Sequence, residues 1–225
     1  MKAILLSVQP KWLEKILNGE KTIEIRKSKP NCELPIDIYV YCSKGGCYLY
    51  DKWDNCGTFI DYSLEKKNYN KPRKLNGKVV AKFTLNKVED ICISSDDLSK
   101  HPVIEFDKFK DILKKSCLSN DECQDYIRGK GDEWLLKPFD IGYAWHIDNL
   151  VVFDKPKELK EFYKVGNNKW LEEARKQHEE VRKRFGNEYR VNSDEEMEKI
   201  YKLPIINPNV ITKSPQSFMY VEVEE

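Results

Sequence analysis

Before its twenty-eighth residue the chain changes hydrophobic period twice, and turn-forming residues mark each change. Ala3 to Val8 reads as a short strand. Gln9-Pro10 then opens a helix, because proline is favoured at the first helical position, where its missing N–H costs nothing. Trp12, Leu13, Ile16 and Leu17 recur at helical spacing and give this helix one apolar face, and Asn18-Gly19 supplies a left-handed stop. From Lys21 to Lys27 the period falls to two: Ile23 and Ile25 point one way, while Thr22, Glu24 and Arg26 point the other. A strand, a short helix and a second strand with a polar stripe place the chain among α+β folds.

The remaining elements fit that class. Ile36 to Cys42 and Gly77 to Val88 are rich in branched and aromatic residues and read as strands, with a turn-rich loop of about 30 residues between them. Asp107 to Gly129 turns helical: Phe109, Ile112 and Leu113 share a face, and Ser119-x-x-Glu122 is a capping box that opens a second short helix. Strand character returns from Ile141 to Phe153 and again from Ser217 to Val223. Between them, Lys155 to Leu203 carries dense mixed charge, and Lys169 to Arg184 reads as an exposed helix with a thin seam of Trp170, Ala174, Val181 and Phe185. With 225 residues the expectation is one domain, interrupted by a charged helical insertion before its last strand.

Composition removes several functional classes. Apolar runs such as Ala3 to Leu6 and Leu150 to Phe153 fall far short of the roughly 18 residues a membrane span requires, and the N-terminus lacks the apolar core of a secretory signal. A cytoplasmic protein without a membrane partner is expected. The seven cysteines (32, 42, 47, 56, 92, 117 and 123) are odd in number and widely spread, which fits reduced thiols better than a disulfide framework. Cys42, Cys47 and Cys56 lack a C-x2-C pair and a nearby histidine, so no metal is expected. There is no P-loop, dinucleotide fingerprint or H-E-x-x-H, and His101, His146 and His178 have no nucleophile paired with them in the sequence. No cofactor is implied. The net charge of +1 hides an uneven distribution: Lys66 to Lys87 holds eight basic residues and no acidic one, whereas Glu89 to Asp125 holds ten acidic and five basic. Such a basic segment, with Tyr69 inside it, is either a solvated loop or a phosphate-binding footprint.

The chemistry concentrates at Gly19-Glu20-Lys21-Thr22-Ile23-Glu24-Ile25-Arg26. A helix stop followed by a strand brings Lys21 to the turn and sets Glu24 and Arg26 on one strand face. On a wet face these are ordinary surface charges. Lining a cavity, they must pair, and they become a candidate base, nucleophile or nucleobase clamp.

The combination of Leu6-Ser7-Val8-Gln9-Pro10-Lys11-Trp12, Gly19-x-Lys21-x-x-Glu24-x-Arg26, Tyr41-Cys42-Ser43-Lys44, Gly77-Lys78-Val79-Val80-Ala81 and Pro215-Gln216-Ser217-Phe218 resembles the ASCH domain family of the PUA-like superfamily. The resemblance covers residues 1 to 165 and 205 to 225, leaving 166 to 204 as the insertion. It implies a small β-barrel flanked by helices, with a cleft beside the first helix and the Lys21–Arg26 strand. It also implies RNA, single-stranded nucleic acid or a nucleoside as the ligand. In that picture Lys21, Glu24 and Arg26 face the cleft, with Ser7, Tyr41, Ser43, Lys44, Gln216 and Ser217 as wall or rim groups. A base would be held by hydrogen bonds to its polar edge and by aromatic stacking. Lys71, Arg73, Lys74 and Lys78 would contact phosphates. Some compact relatives look like amidohydrolases acting on N-acetylcytidine, with a hydroxyl residue at the place of Glu24, and others look like ribonucleases. The same trio is therefore the catalytic candidate of an alternative hydrolase reading. The helix within 166 to 185 is a candidate protein-docking face.

Overall fold

The structure, a computed structural model, describes residues 2–45, 47–51, 60–62, 73–94, 106–129, 139–165, 211–213 and 215–223. The strands are β1 (Lys2–Val8), β2 (Ile23–Arg26), β3 (Ile36–Cys42), β4 (Tyr48–Tyr50), β5 (Ile60–Tyr62), β6 (Val79–Leu85), β7 (Val88–Ser94), β8 (Phe139–His146), β9 (Asp148–Lys157), β10 (Phe162–Lys164) and β11 (Phe218–Val223). The helices are α1 (Pro10–Leu17), α2 (Phe106–Ser116) and α3 (Asn120–Arg128). The charged insertion expected over 166 to 204 lies outside the described residues, as does Lys71.

Two sheets organise the domain. A six-stranded mixed sheet runs β10-β11-β1-β3-β6-β9, and a three-stranded antiparallel sheet runs β2-β8-β7; β4 and β5 form a separate hairpin. Strand β1 pairs in parallel with β3 and antiparallel with β11, so the last strand of the chain docks beside the first. The barrel expected from the family resemblance is not closed among the described residues: β9 and β10 are the outer strands of the larger sheet, and β2 and β7 those of the smaller. A second correction concerns Gly77 to Val88, expected as one strand. It divides at Asn86-Lys87 into β6 and β7, which belong to different sheets.

Strand alternation assigns the core residues. From β1, Ile4, Leu6 and Val8 enter a cluster with Leu13 and Ile16 of α1, Phe83 of β6 and Trp145 of β8. Ala3 and Leu5 project the other way, into a cluster with Tyr39, Tyr41, Phe162 and Val221. The central sheet is thus buried on both faces, and truncating a residue such as Leu6 or Leu13 costs about 2–5 kcal/mol. A third cluster joins Ile23 and Ile25 of β2 to Ile91, Ile93 and Ala144 and to Phe109, Ile112, Cys123 and Ile127 of α2 and α3. Gly142 permits that last approach, since a Cβ there would meet Ile127 Cδ1 at 2.4 Å. Among the described residues no helix is long and apolar enough to cross a membrane.

Candidate nucleobase cleft

The turn after α1 delivers Lys21. Gly19, with φ +77, donates its N–H to Ile16 O, and Glu20 and Lys21 both donate to Lys15 O, which closes the helix and reverses the chain. Such a left-handed position suits glycine because a Cβ would crowd the backbone. Strand β2 follows, and all four of its residues are buried. Ile23 and Ile25 fill the third cluster, which turns Glu24 and Arg26 to the opposite face.

Three charged side chains are therefore buried together. Lys21 is 2% exposed, Glu24 8% and Arg26 7%. Lys21 Nζ donates to Ser116 O at 2.7 Å and lies 3.3 Å from Glu24 Oε2. Arg26 Nε lies 3.3 Å from Glu24 Oε1, and Arg26 Nη2 donates to Ser7 O at 2.7 Å. One carboxylate thus stands between two cations, as burial demands, because an unpaired charge in this environment costs several kcal/mol. Although Arg26 Nε is close to Glu24, it is not aligned to hydrogen-bond it, and this buried N–H has no hydrogen-bond partner among the described residues.

Above the trio opens a cleft of about 880 Å³. The end of β1 forms one wall, where Ser7 N–H donates to Ser217 O and Ser43 N–H donates to Val8 O, gathering Ser43, Gln216 and Ser217 around Ser7. Trp12 of α1 forms another, with Lys11 Nζ 4.5 Å and Lys21 Nζ 5.5 Å from its ring centroid. The third wall is α3, which presents Leu118 from its approach and Glu122, Asp125 and Tyr126 along its length. Its capping box is formed: Ser119 Oγ accepts from Glu122 N–H, and Glu122 accepts from Ser119 N–H. The Ser119 N–H holds the Glu122 carboxyl below its ordinary range, against an opposing effect of burial. On the buried face of α3, burial pushes the Cys123 thiol up to about 11, with the Lys21 charge opposing it.

Of the residues singled out in the sequence, Ser7, Lys21, Glu24, Arg26, Ser43, Gln216 and Ser217 line this cleft. The others with described positions do not. Tyr41 is 1% exposed and belongs to the cluster on the far face of the central sheet. Lys44 runs beside Gly77. Arg73 pairs with Asp51 and donates to Asp154 O at 2.7 Å, Lys78 pairs with Glu158, and Lys74 Nζ sits 3.8 Å from the Tyr48 ring centroid. Sequence reasoning missed Trp12 as a wall residue and missed α3 as a wall altogether. Trp12 carried a signal, since it sits in the first motif of the resemblance; Tyr126 lies a hundred residues beyond β2 and carried none.

Among the described residues no group of three or more His, Cys, Asp or Glu side chains is placed to hold a metal ion. The nearest analogue of such a cluster is elsewhere: Glu89 takes His146 Nε2 at 2.6 Å, Lys108 at 2.9 Å and Lys87 at 3.1 Å. Burial raises the pKa of Glu89, but these three donors outweigh it and hold the carboxyl down at about 2.

The model of the ASCH domain matches residues 6–184. Three crystal structures of an ASCH protein from Zymomonas mobilis are similar to this chain. The first is 15% identical, covers 89% of this chain and 94% of that one, and has a TM-score of 0.42. A serine-to-alanine variant of it is 11% identical over 98% and 88%, with a TM-score of 0.46. A tyrosine-to-phenylalanine variant is 14% identical over 90% and 99%, with a TM-score of 0.41. No curated protein matches the sequence. With the family model spanning more than half of its length, the chain belongs to the ASCH domain family.

Proposed function

We propose that this protein is an RNA-binding module whose cleft receives a single unstacked nucleobase, ordinary or modified. The observation that carries the reading is the pairing of Arg26 Nε, a buried donor without a hydrogen-bond partner, with the neighbouring Glu24 carboxylate on the cleft floor. A donor beside an acceptor complements the polar edge of a nucleobase, where an amino or imino N–H stands beside a ring nitrogen or carbonyl. A buried unsatisfied N–H costs about 1–3 kcal/mol, and a ligand acceptor recovers that cost. Trp12 and Tyr126 offer aromatic faces on two walls of the same cleft, and its volume is in the range that holds a small ligand. RNA binding is also the role generally inferred for ASCH domains.

Recognition is favoured over turnover by the state of Lys21. Its amine is already engaged by Ser116 O and by Glu24, so an attack on a substrate would first have to break both contacts. The test is titration of the full chain with the four ribonucleosides and N-acetylcytidine, following binding by calorimetry and product by mass spectrometry. Binding without product, weakened about ten-fold or more in Tyr126→Ala, is expected, because loss of one stacked base is worth about 1–3 kcal/mol. Absence of binding refutes the reading. Product that disappears in Lys21→Met replaces it with a hydrolase.

A further inference from the structure

We propose that the cleft continues, on the side where β2 ends, into an aromatic ledge that seats the nucleotide next to the one in the cleft, so that the protein binds a stretch of single-stranded RNA. The proposal rests on the base-binding reading of the cleft. Arg26, the last residue of β2, stands opposite Tyr143 of β8, as Glu24 stands opposite Trp145. Facing residues of paired strands project from the same side of a sheet, so Tyr143 shares the face of Glu24 and Arg26. Trp145 meets Phe218 edge-on with centroids 5.1 Å apart, and Phe218 meets Tyr220 at 6.3 Å. Tyr143, Phe218 and Tyr220 are each half-buried. Gln216 and Ser217 of the cleft wall lead directly into Phe218, so β11 carries Phe218 and Tyr220 away from the cleft, each with one side packed, like Tyr143, on the core cluster of Leu6 and Trp145.

The charge pattern selects the occupant. As the chain leaves β2, Lys27 Nζ lies 5.6 Å from the Tyr126 ring centroid, and Lys29 Nζ lies 5.6 Å from that of Tyr143. Both lysines are exposed, and neither has a carboxylate partner among the described residues. Arg73 and Lys78, by contrast, are each matched by an acidic side chain. Asn31 N–H donates to the Tyr220 hydroxyl at 2.6 Å and pins the segment that carries these lysines against the ledge. On α3, Glu122 is paired with Lys11 at 3.8 Å and Asp125 lines the cleft, whereas Lys27, beside the end of the same helix, and Lys29 beyond it mark the end of β2 as the exit for an RNA backbone. The ledge ends at Glu222, opposite Lys2. Aromatic rings with adjoining cations are how single strands are held without sequence preference, by stacking and phosphate contact.

The experiment titrates the full chain, Lys29→Ala and Tyr143→Leu with the four ribonucleosides and with the matching hexanucleotide RNAs. Wild type is expected to bind a hexanucleotide at least ten-fold more tightly than its nucleoside. Each variant should lose about ten-fold of hexanucleotide affinity with nucleoside affinity unchanged, and Lys29→Ala should flatten the salt slope by about 0.7, the contribution of one phosphate contact on a single strand. Lys29 is exposed, so its replacement does not endanger the fold. Unchanged hexanucleotide affinity and slope in both variants, or a wild type that gains nothing from added nucleotides, overturns the ledge. A wild type that binds no nucleoside overturns the cleft reading beneath it, so the two failures are told apart.

Discussion

Replacing Glu24 by glutamine keeps the shape of the side chain and removes the negative charge that Lys21 and Arg26 share, which makes it a sharp test of the buried trio. Each cation lies 3.3 Å from one carboxylate oxygen. At an effective dielectric of 20 each contact has a gross Coulomb attraction of about 5 kcal/mol, most of which offsets the cost of taking the charges out of water. Removing the shared counter-charge strands two buried cations. Breaking a buried pair in this way costs about 3–5 kcal/mol, a large part of the 5–15 kcal/mol that holds a typical domain folded. For a chain of this size each kcal/mol moves the melting temperature by about 2–4 °C, so a fall of roughly 6–20 °C is expected. Urea denaturation should show the midpoint falling with little change in slope. The double variant Lys21→Met, Glu24→Gln should recover part of the loss, because methionine fills the lysine site without a charge. A Glu24→Gln protein within about 0.5 kcal/mol of wild type, the usual effect of a surface substitution, would refute the argument, as would strictly additive single and double variants.

Three further outcomes follow from the helix cap, the packing of α3 and the Glu89 cluster. Ser119→Ala removes the cap of the helix that carries Glu122 and Tyr126; it should cost about 1 kcal/mol in denaturant melts and weaken nucleoside binding, whereas a loss of stability alone would mean that α3 is no cleft wall. Gly142→Ala drives a methyl into Ile127 and should destabilise by about 1–3 kcal/mol; neutrality would show that α3 does not pack closely on β8. Glu89 titrates at about 2 in the folded protein against an ordinary value of 4.5, so it binds its proton more readily when unfolded. Its contribution is complete above pH 4.5 and is lost as pH falls toward 2, and Glu89→Gln should flatten the stability profile across that window; an unchanged acid limb would contradict the His146, Lys87 and Lys108 contacts.

How much of this was legible in the sequence depends on how local each determinant is. Strands β1 to β3, helix α1 and the last strand follow from periodicity and stop residues within one element. The break between β6 and β7 was hidden, because Asn86-Lys87 contains neither glycine nor proline and the switch of sheets is made by long-range pairing. In β2 the alternation is legible in the sequence, while the environment of its charged face stays open between solvent and a cavity wall. A strand of isoleucines alternating with charges ordinarily has one wet face, and here the charged face is buried because its ions satisfy one another. The candidate site divides along the same line. Lys21, Glu24 and Arg26 came from one contiguous motif. Tyr41 is a wall candidate through the motif it shares with Ser43 in the family resemblance, yet alternation along β3 sends Tyr39 and Tyr41 to the far side of the sheet. Tyr126, Glu122 and Asp125 reach the cleft only through the packing of α3 on β8 and β2, which no local pattern encodes.

The most direct test of the central claim is photo-crosslinking of the full chain to short RNAs carrying a single 4-thiouridine, with the attachment sites mapped by peptide mass spectrometry. Crosslinks at Trp12 or Tyr126 that disappear when free nucleoside is added in excess are the predicted result. Crosslinks confined to Arg73 through Lys78, or any set unaffected by the nucleoside, would contradict a base held in the cleft above Lys21, Glu24 and Arg26.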